Sequence, residues 1–237
     1  MDKRPKIERL LLKVSGEVLG GEVSSIGFDR VDSFAAELKT AKESCSEIAV
    51  VVGGGNVLRG SRVSGKGIGR VAADYMGMLG TIINALALQS ALERLGIGTR
   101  VMTAVSMEQL VEPYIRRNAL RYLKEGQLII LAGGTGNPYF STDTAAALRA
   151  AEIKADALLK GTKVDGIFCS DPEENPDARM IEALSYTDVL KDDLRVMDAM
   201  AVALCRENKI PIIVFNLLKE GNLKKVLEGK KLGTMVQ

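Results

Sequence analysis

Short apolar runs alternate with longer stretches of helical periodicity along the whole chain. The runs at Arg9–Val14, Ile48–Val52, Thr99–Thr103, Gln127–Ala132, Ala157–Lys160 and Ile212–Asn216 predict strands. Between them, helical patterns fall near Asp29–Ala41, Tyr75–Leu95, Tyr114–Lys124, Asp143–Ile153, Asp198–Glu207 and Asn222–Leu227. In the clearest of these, Asp74 is placed to cap the start and Gly96 to end it. The alternation predicts an α/β fold of βαβ units around a mostly parallel sheet covered on both faces. In such sheets ligands bind beyond the carboxyl ends of the strands. Cys169–Met180, rich in Pro, Asp, Glu and Asn and without periodicity, reads as a surface loop. With no internal repeat, low-complexity tract or shift in composition, residues 1–237 read as a single domain. An amino-terminal and a carboxyl-terminal lobe meet near Gln127–Asp143.

Composition narrows the chemistry. The 237 residues are 46% hydrophobic and 26% charged, as in globular proteins generally. Lys and Arg number 32 against 30 Asp and Glu, which gives no broad electrostatic footprint for nucleic acid or a membrane. The absence of histidine removes Ser-His-Asp and Cys-His catalysis and histidine metal ligation. Cys45, Cys169 and Cys205 stand far apart, in no CxxC spacing, and read as plain thiols in a reducing compartment. Near the start, Lys13 interrupts the Leu10–Leu12 run, too short for a signal segment, and no apolar stretch approaches the ~18 residues of a membrane span. The expectation is a cytoplasmic protein.

Four strand-end loops then carry the argument. Lys13-Val14-Ser15-Gly16 sets an ammonium and free backbone N–H groups where phosphate oxygens would lie. Gly53-Gly54-Gly55-Asn56 follows the second strand, with Arg59 adding a fork donor suited to phosphate. Gly133–Asp143 joins three hydroxyl residues to a helix N-terminus, an anion site by geometry in which Ser141-Thr142-Asp143 also serve as a cap. There Asp143 requires cationic company, either lysines or Mg²⁺. Lys160–Gly166 supplies two lysines and a threonine from the other half of the chain, with Phe168 and Asp171 close behind. Gly60–Gly67 imitates the start of a P-loop but has Gly67 where Ser or Thr would hold the metal, and reads as a basic loop. Lysines in separate halves, glycine loops and no histidine suit a reaction that runs on charge neutralisation more than on proton transfer. Phosphoryl transfer is that reaction.

The residues between the glycines carry a resemblance. Leu11–Glu17, Val51–Asn56 with Arg59-Gly60, Asp74–Leu79 with Asn84, Gly134–Asp143 and Leu159–Gly166 are similar to segments of the bacterial UMP kinases, in the amino acid kinase superfamily. The resemblance implies a three-layer αβα sandwich, a homohexamer, and Mg²⁺-assisted transfer from ATP to UMP in pyrimidine nucleotide synthesis. It implies an amino-terminal lobe for UMP and a carboxyl-terminal lobe for ATP. Lys13 and Lys163 then resemble the lysines that neutralise the transferring group, Arg59 an arginine spanning the phosphates, and Asp143 the residue orienting lysines or metal. No residue is assigned as a dedicated metal ligand, the Mg²⁺ being held mainly by phosphates. Lys13, Val14, Ser15, Gly16, Gly55, Arg59, Thr162, Phe168 and Asp171 fall on ATP positions. Gly54, Asp74, Thr135, Gly136, Asn137, Pro138, Tyr139, Phe140, Ser141 and Thr142 fall on UMP positions. Phe168 stands where many relatives have Tyr, and Tyr139 where many have Phe. UTP inhibition is implied, because UTP can use the UMP site. GTP activation is left open: Arg100 matches one arginine of the relatives' GTP site, but Gln89 and Gln127 stand where two others are expected. An acyl-phosphate-forming kinase of the superfamily, or a molybdenum storage protein on the same fold, would share the lysines and glycine loops but not the whole set of segments.

Overall fold

The structure is a computed structural model, and it describes residues 7–22, 24–58, 67–170, 175, 177–191, 194 and 197–237. Its main sheet contains β1 (Arg9–Val14), β2 (Glu47–Val52), β3 (Thr99–Thr103), β4 (Glu112–Pro113), β5 (Leu128–Ala132), β6 (Ala157–Thr162), β9 (Ala183–Leu184), β10 (Ile212–Asn216) and β11 (Thr234–Val236). Their order across the sheet is β4-β3-β5-β2-β1-β6-β10-β11-β9. Every pairing is parallel except β10 with β11. A separate antiparallel pair, β7 (Ile167–Phe168) and β8 (Met180–Ile181), ties together the flanks of the loop expected at Cys169–Met180.

Alternation along the strands divides the core into two layers. Leu10, Leu12 and Val14 of β1 join Ile48, Val50 and Val52 of β2 on one face. That face is covered by α2 (Phe28–Lys42), α3 (Arg70–Arg94) and α8 (Asn222–Leu227). Leu11, Ala49, Val51, Ile129 and Leu158 point to the other, under α4 (Arg116–Lys124), α5 (Thr142–Ile153), α6 (Tyr186–Lys191) and α7 (Ala199–Asn208). Leu10, Leu11 and Leu12 are all fully buried, each stabilising the fold by about 1.5–3 kcal/mol relative to exposure. This is the expected three-layer αβα sandwich. A four-residue helix, α1 (Gly16–Leu19), leaves β1 directly and turns the chain back over the strand ends.

Two expectations about α3 are corrected. Asp74 does not cap it: the helix starts a turn earlier, with Gly69 at the N-cap and no side-chain cap, and Asp74 lies in the second turn. At the other end Gly96, at φ 78°, does terminate it, its N–H and that of Ile97 returning to Glu93 O and Leu92 O, both at 3.0 Å. By length and composition α3 is also long and apolar enough to cross a bilayer, contrary to the sequence reading. Its apolar residues serve two faces, which is why no single run revealed them. Ile82, Ala85 and Leu88 enter the core, whereas Val71, Tyr75, Leu79, Ile83 and Leu86 form an exposed stripe.

Candidate active site

The centre of the site is set by strand register. Lys13 and Lys160 are partners across the parallel β1–β6 pair, near the carboxyl ends of both strands and facing α5. Asp143, in the first turn of α5, reaches both: Lys13 Nζ lies 2.6 Å from Oδ1 and Lys160 Nζ 2.9 Å from Oδ2. All three side chains are largely buried, with 11%, 16% and 15% of their surface exposed for Lys13, Lys160 and Asp143. Burial alone would raise the Asp143 carboxyl, but the two ammonium groups outweigh it and hold it below the usual carboxylate range. Burial lowers the Lys160 ammonium from its ordinary value; Asp143 opposes the fall, and the charge of Lys13 adds to it. Both oxygens of Asp143 are thus engaged in ion pairs with lysines.

The first turn of α5 is held in place from below. Ser141 Oγ accepts from the N–H groups of Asp143 and Thr144 at 3.0 and 3.1 Å, the cap expected from the sequence. The same hydroxyl donates to Asp198, whose carboxylate also accepts from Thr144 Oγ1 at 2.9 Å. Asp198 is itself the N-cap of α7, accepting from Ala201 N at 2.8 Å. One carboxylate thus joins the amino ends of two helices beneath the lysine cluster.

On the opposite face α3 arranges the glycine loops, one helical turn after another. Asn84, fully buried, donates to Gly53 O at 2.7 Å and exchanges amide bonds with Asn56. Thr81 Oγ1 accepts from Gly133 N at 2.7 Å. Asp74 Oδ2 accepts from Tyr139 N at 2.8 Å, and Arg70 Nε donates to both Asp74 oxygens. A Cβ on Gly54 would stand 2.4 Å from Gly77 O, so the triple-glycine loop can lie this close to α3 only without a side chain. Gly16 is confined in the same way, its Cβ position 2.8 Å from Gly53 O. Tyr139 adopts φ 73°, a conformation costly for a residue with a side chain, at the point where Asp74 grips the backbone.

Between these loops lies an open pocket of about 450 Å³. Five residues expected at a UMP site, Gly54, Asp74, Phe140, Ser141 and Thr142, line it, as does Gly55 from the expected ATP set. Thr135, Gly136, Asn137, Pro138 and Tyr139 stand outside the lining, on the loop that rims it; Thr135 Oγ1 accepts from Asn137 N at 3.2 Å, and Tyr139 is largely exposed. The lining adds Arg70, Gly77, Met78 and Thr81, which sequence reading missed. Their signal is the spacing of Arg70, Asp74, Gly77 and Thr81 on one helical face.

The remaining expected residues gather at the ends of β1 and β6. Val14 ends β1, with Ser15 capping α1 and Gly16 opening it. Lys163 lies beyond β6 and does not join the Lys13–Asp143 cluster; it is 57% exposed, and its Nζ pairs with Glu17 at 3.2 Å. Thr162 Oγ1 accepts from Val164 N at 3.2 Å and shapes the turn that carries Lys163. Phe168 sits in β7, opposite Met180. Arg59, Asp171 and nearly all of the Gly60–Gly67 loop lie outside the described residues. Lys160, named in the sequence only as part of a basic loop, proves to be the lysine that shares Asp143 with Lys13. Arg100 and Gln127, singled out for regulation, bond to each other at 2.9 Å, and Gln89 bonds Glu93 at 2.9 Å.

Comparison with known proteins gives the family. A sequence model of the amino acid kinase family matches residues 8–216. A uridylate kinase of Erythrobacter litoralis is 54% identical over 235 residues, covering 98% of both chains. One of Zymomonas mobilis is 51% identical over 238 residues, covering 100% of this chain and 98% of the relative. The crystal structure of UMP kinase from Bacillus anthracis superposes with a TM-score of 0.95 at 37% identity, covering 98% of this chain and 97% of that one. The chain therefore belongs to the amino acid kinase family and, within it, to the uridylate kinases.

Proposed function

We propose that the protein transfers the γ-phosphoryl group of ATP to UMP, giving ADP and UDP. The observation that carries this reading is the buried Lys13–Asp143–Lys160 cluster at the strand ends, beside a pocket lined by Gly54, Asp74, Phe140, Ser141 and Thr142. The chain's similarity to uridylate kinases and to a UMP kinase structure supports UMP as acceptor. UMP occupies the pocket in the amino-terminal lobe, its phosphate toward Gly54 and the start of α5, while ATP spreads from Lys13–Gly16 and Gly55 toward Thr162 and Phe168. Arg59 and Asp171 keep the ATP roles that the family resemblance gives them. The UMP phosphate oxygen attacks the γ-phosphorus in line as the bond to the β-phosphate oxygen breaks. Lys13 and Lys163 neutralise the charge that spreads over the transferring group.

Mg²⁺ enters as part of the ATP substrate. Among the described residues no group of three or more acidic or thiol side chains could cage a metal, and Asp143 gives both oxygens to lysines. A hard cation held chiefly by phosphate oxygens fits that arrangement. The exposed Val71–Leu86 stripe of α3 supports assembly into a homohexamer, since a helix face this apolar favours burial against another copy. UTP inhibits by taking the UMP pocket. Cys45 and Cys205, buried and pushed up to about 11 and about 12, are inert thiols suited to a reducing cytoplasm. Separation of nucleotides after incubation with MgATP and UMP tests the reaction: ADP and UDP appear in equal amounts, and ADP without UDP would overturn the reading.

A further inference from the structure

The turn that carries Lys163 leaves the main sheet where Thr162 of β6 pairs with Asn216 of β10, the last pair in the register of those two strands. Asn216 is only 8% exposed and turns its amide into that turn. Its Nδ2 donates to Lys163 O at 2.9 Å and to Asp165 Oδ1 at 3.1 Å, while its Oδ1 accepts from Leu218 N at 3.0 Å. These partners fix which way the amide faces, since Lys163 O can only accept and Leu218 N can only donate. The main chain of Asn216 is held as well. Its carbonyl accepts from Asn222 Nδ2 of α8 at 2.9 Å, and the next residue, Leu217, donates its N–H to Thr162 O at 3.0 Å.

The Lys163 side chain is held far less firmly than its backbone. It is 57% exposed, and its Nζ meets Glu17 of α1 at 3.2 Å. A long exposed lysine samples many rotamers, so the reach of its ammonium depends on a fixed starting point in the main chain. We propose that Asn216 is a positioning residue for the phosphoryl transfer. By holding Lys163 O and the Asp165 carboxylate it fixes the turn from which the Lys163 ammonium reaches the transferring group. The inference rests on the proposed transfer from ATP to UMP and on the part given there to Lys163.

Steady-state kinetics of Asn216→Ala, alone and in a Lys163→Ala background, test it. Alone, Asn216→Ala should lose on the order of 10–100-fold in kcat, the scale for a displaced catalytic group, while KM for UMP and for ATP moves less than about threefold. In the Lys163→Ala background the same substitution should change kcat by less than about threefold, because the group it positions is gone. A merely structural asparagine predicts equal losses in the two backgrounds. The proposal is overturned if Asn216→Ala keeps kcat within about twofold of the parent, or if its loss is undiminished without the Lys163 side chain. Should Asn216→Ala not fold, the exchange Asn216→Asp/Asp165→Asn decides. It keeps a donor and an acceptor between the two positions and an acceptor for Leu218 N, and it removes the donor to Lys163 O. The same loss in kcat is expected of it, and turnover within about twofold of the parent would again overturn the proposal. A parent protein that forms no UDP would instead overturn the proposed function.

Discussion

The side chain of Asp74 accepts a hydrogen bond from the backbone N–H of Tyr139 at 2.8 Å, joining the second turn of α3 to a loop from the other side of the sheet. The bond fixes a backbone that Tyr139 holds at φ 73°. It also sets Phe140 and Ser141 against the pocket. Asp74→Ala should therefore raise KM for UMP about tenfold or more, the cost of one lost hydrogen bond to a charged group, and leave KM for ATP nearly unmoved. An equal rise in both constants would mean that Asp74 serves the fold and not the acceptor loop.

Thr81 offers a cleaner test of how α3 serves the loops. Its hydroxyl accepts from Gly133 N in a buried setting, and valine has the same shape without the oxygen. Thr81→Val should cost about 1–3 kcal/mol in denaturant unfolding, because the Gly133 donor is left buried and unpaired. An unchanged midpoint would show that water or another acceptor replaces it.

Gly54→Ala adds one methyl group where Gly77 O already stands at 2.4 Å and Thr81 N at 3.0 Å. Both obstacles are backbone, so the loop must move. The expected result is a loss of about 1–3 kcal/mol in stability together with a raised KM for UMP. Parent-like stability and kinetics would mean that the loop is not pressed against α3 in solution.

Lys13→Ala should lower kcat by about 10²–10³-fold, the scale for one preorganised group that stabilises developing charge. Its partner Lys160 adds a pH signature. Lys160 is faced by Asp143 from α5, Lys13 from β1 and Asp198 from the start of α7, and its ammonium is held below the ordinary value of 10.5. A lysine lowered by folding costs stability at pH values below its folded pKa, and that cost is relieved as pH rises from there toward 10.5. Activity moves the other way, falling as Lys160 loses its proton. The alkaline limb of kcat should lie below pH 10.5 and shift upward in Lys160→Arg. A limb unaffected by the arginine would assign it to another group.

Much of the fold was legible because apolar runs mark strands wherever both faces of a sheet are covered. Thr99–Thr103 and Ile212–Asn216 begin and end where the sequence pattern placed them. The start of α3 was not legible: Arg70-Val71-Ala72-Ala73 follows glycine with no capping side chain, so Asp74 drew the boundary to itself. The lysine pair failed for a different reason. Lys13 and Lys160 meet only through the β1–β6 register, a contact between distant parts of the chain. Alternation along β6 did hold a clue, since Lys160 shares the α5 face with Leu158, whereas Lys163 falls past the strand end. The pocket residues of α3 were hidden likewise, because small side chains such as Gly77 and Thr81 look ordinary until a second loop packs against them.

The central claim is tested most directly by a coupled ADP-release assay with MgATP and, in turn, UMP, CMP, dUMP, carbamate and aspartate. The account predicts turnover with UMP well above that with the other nucleotides, and none with carbamate or aspartate. Turnover with carbamate or aspartate and none with UMP would contradict it.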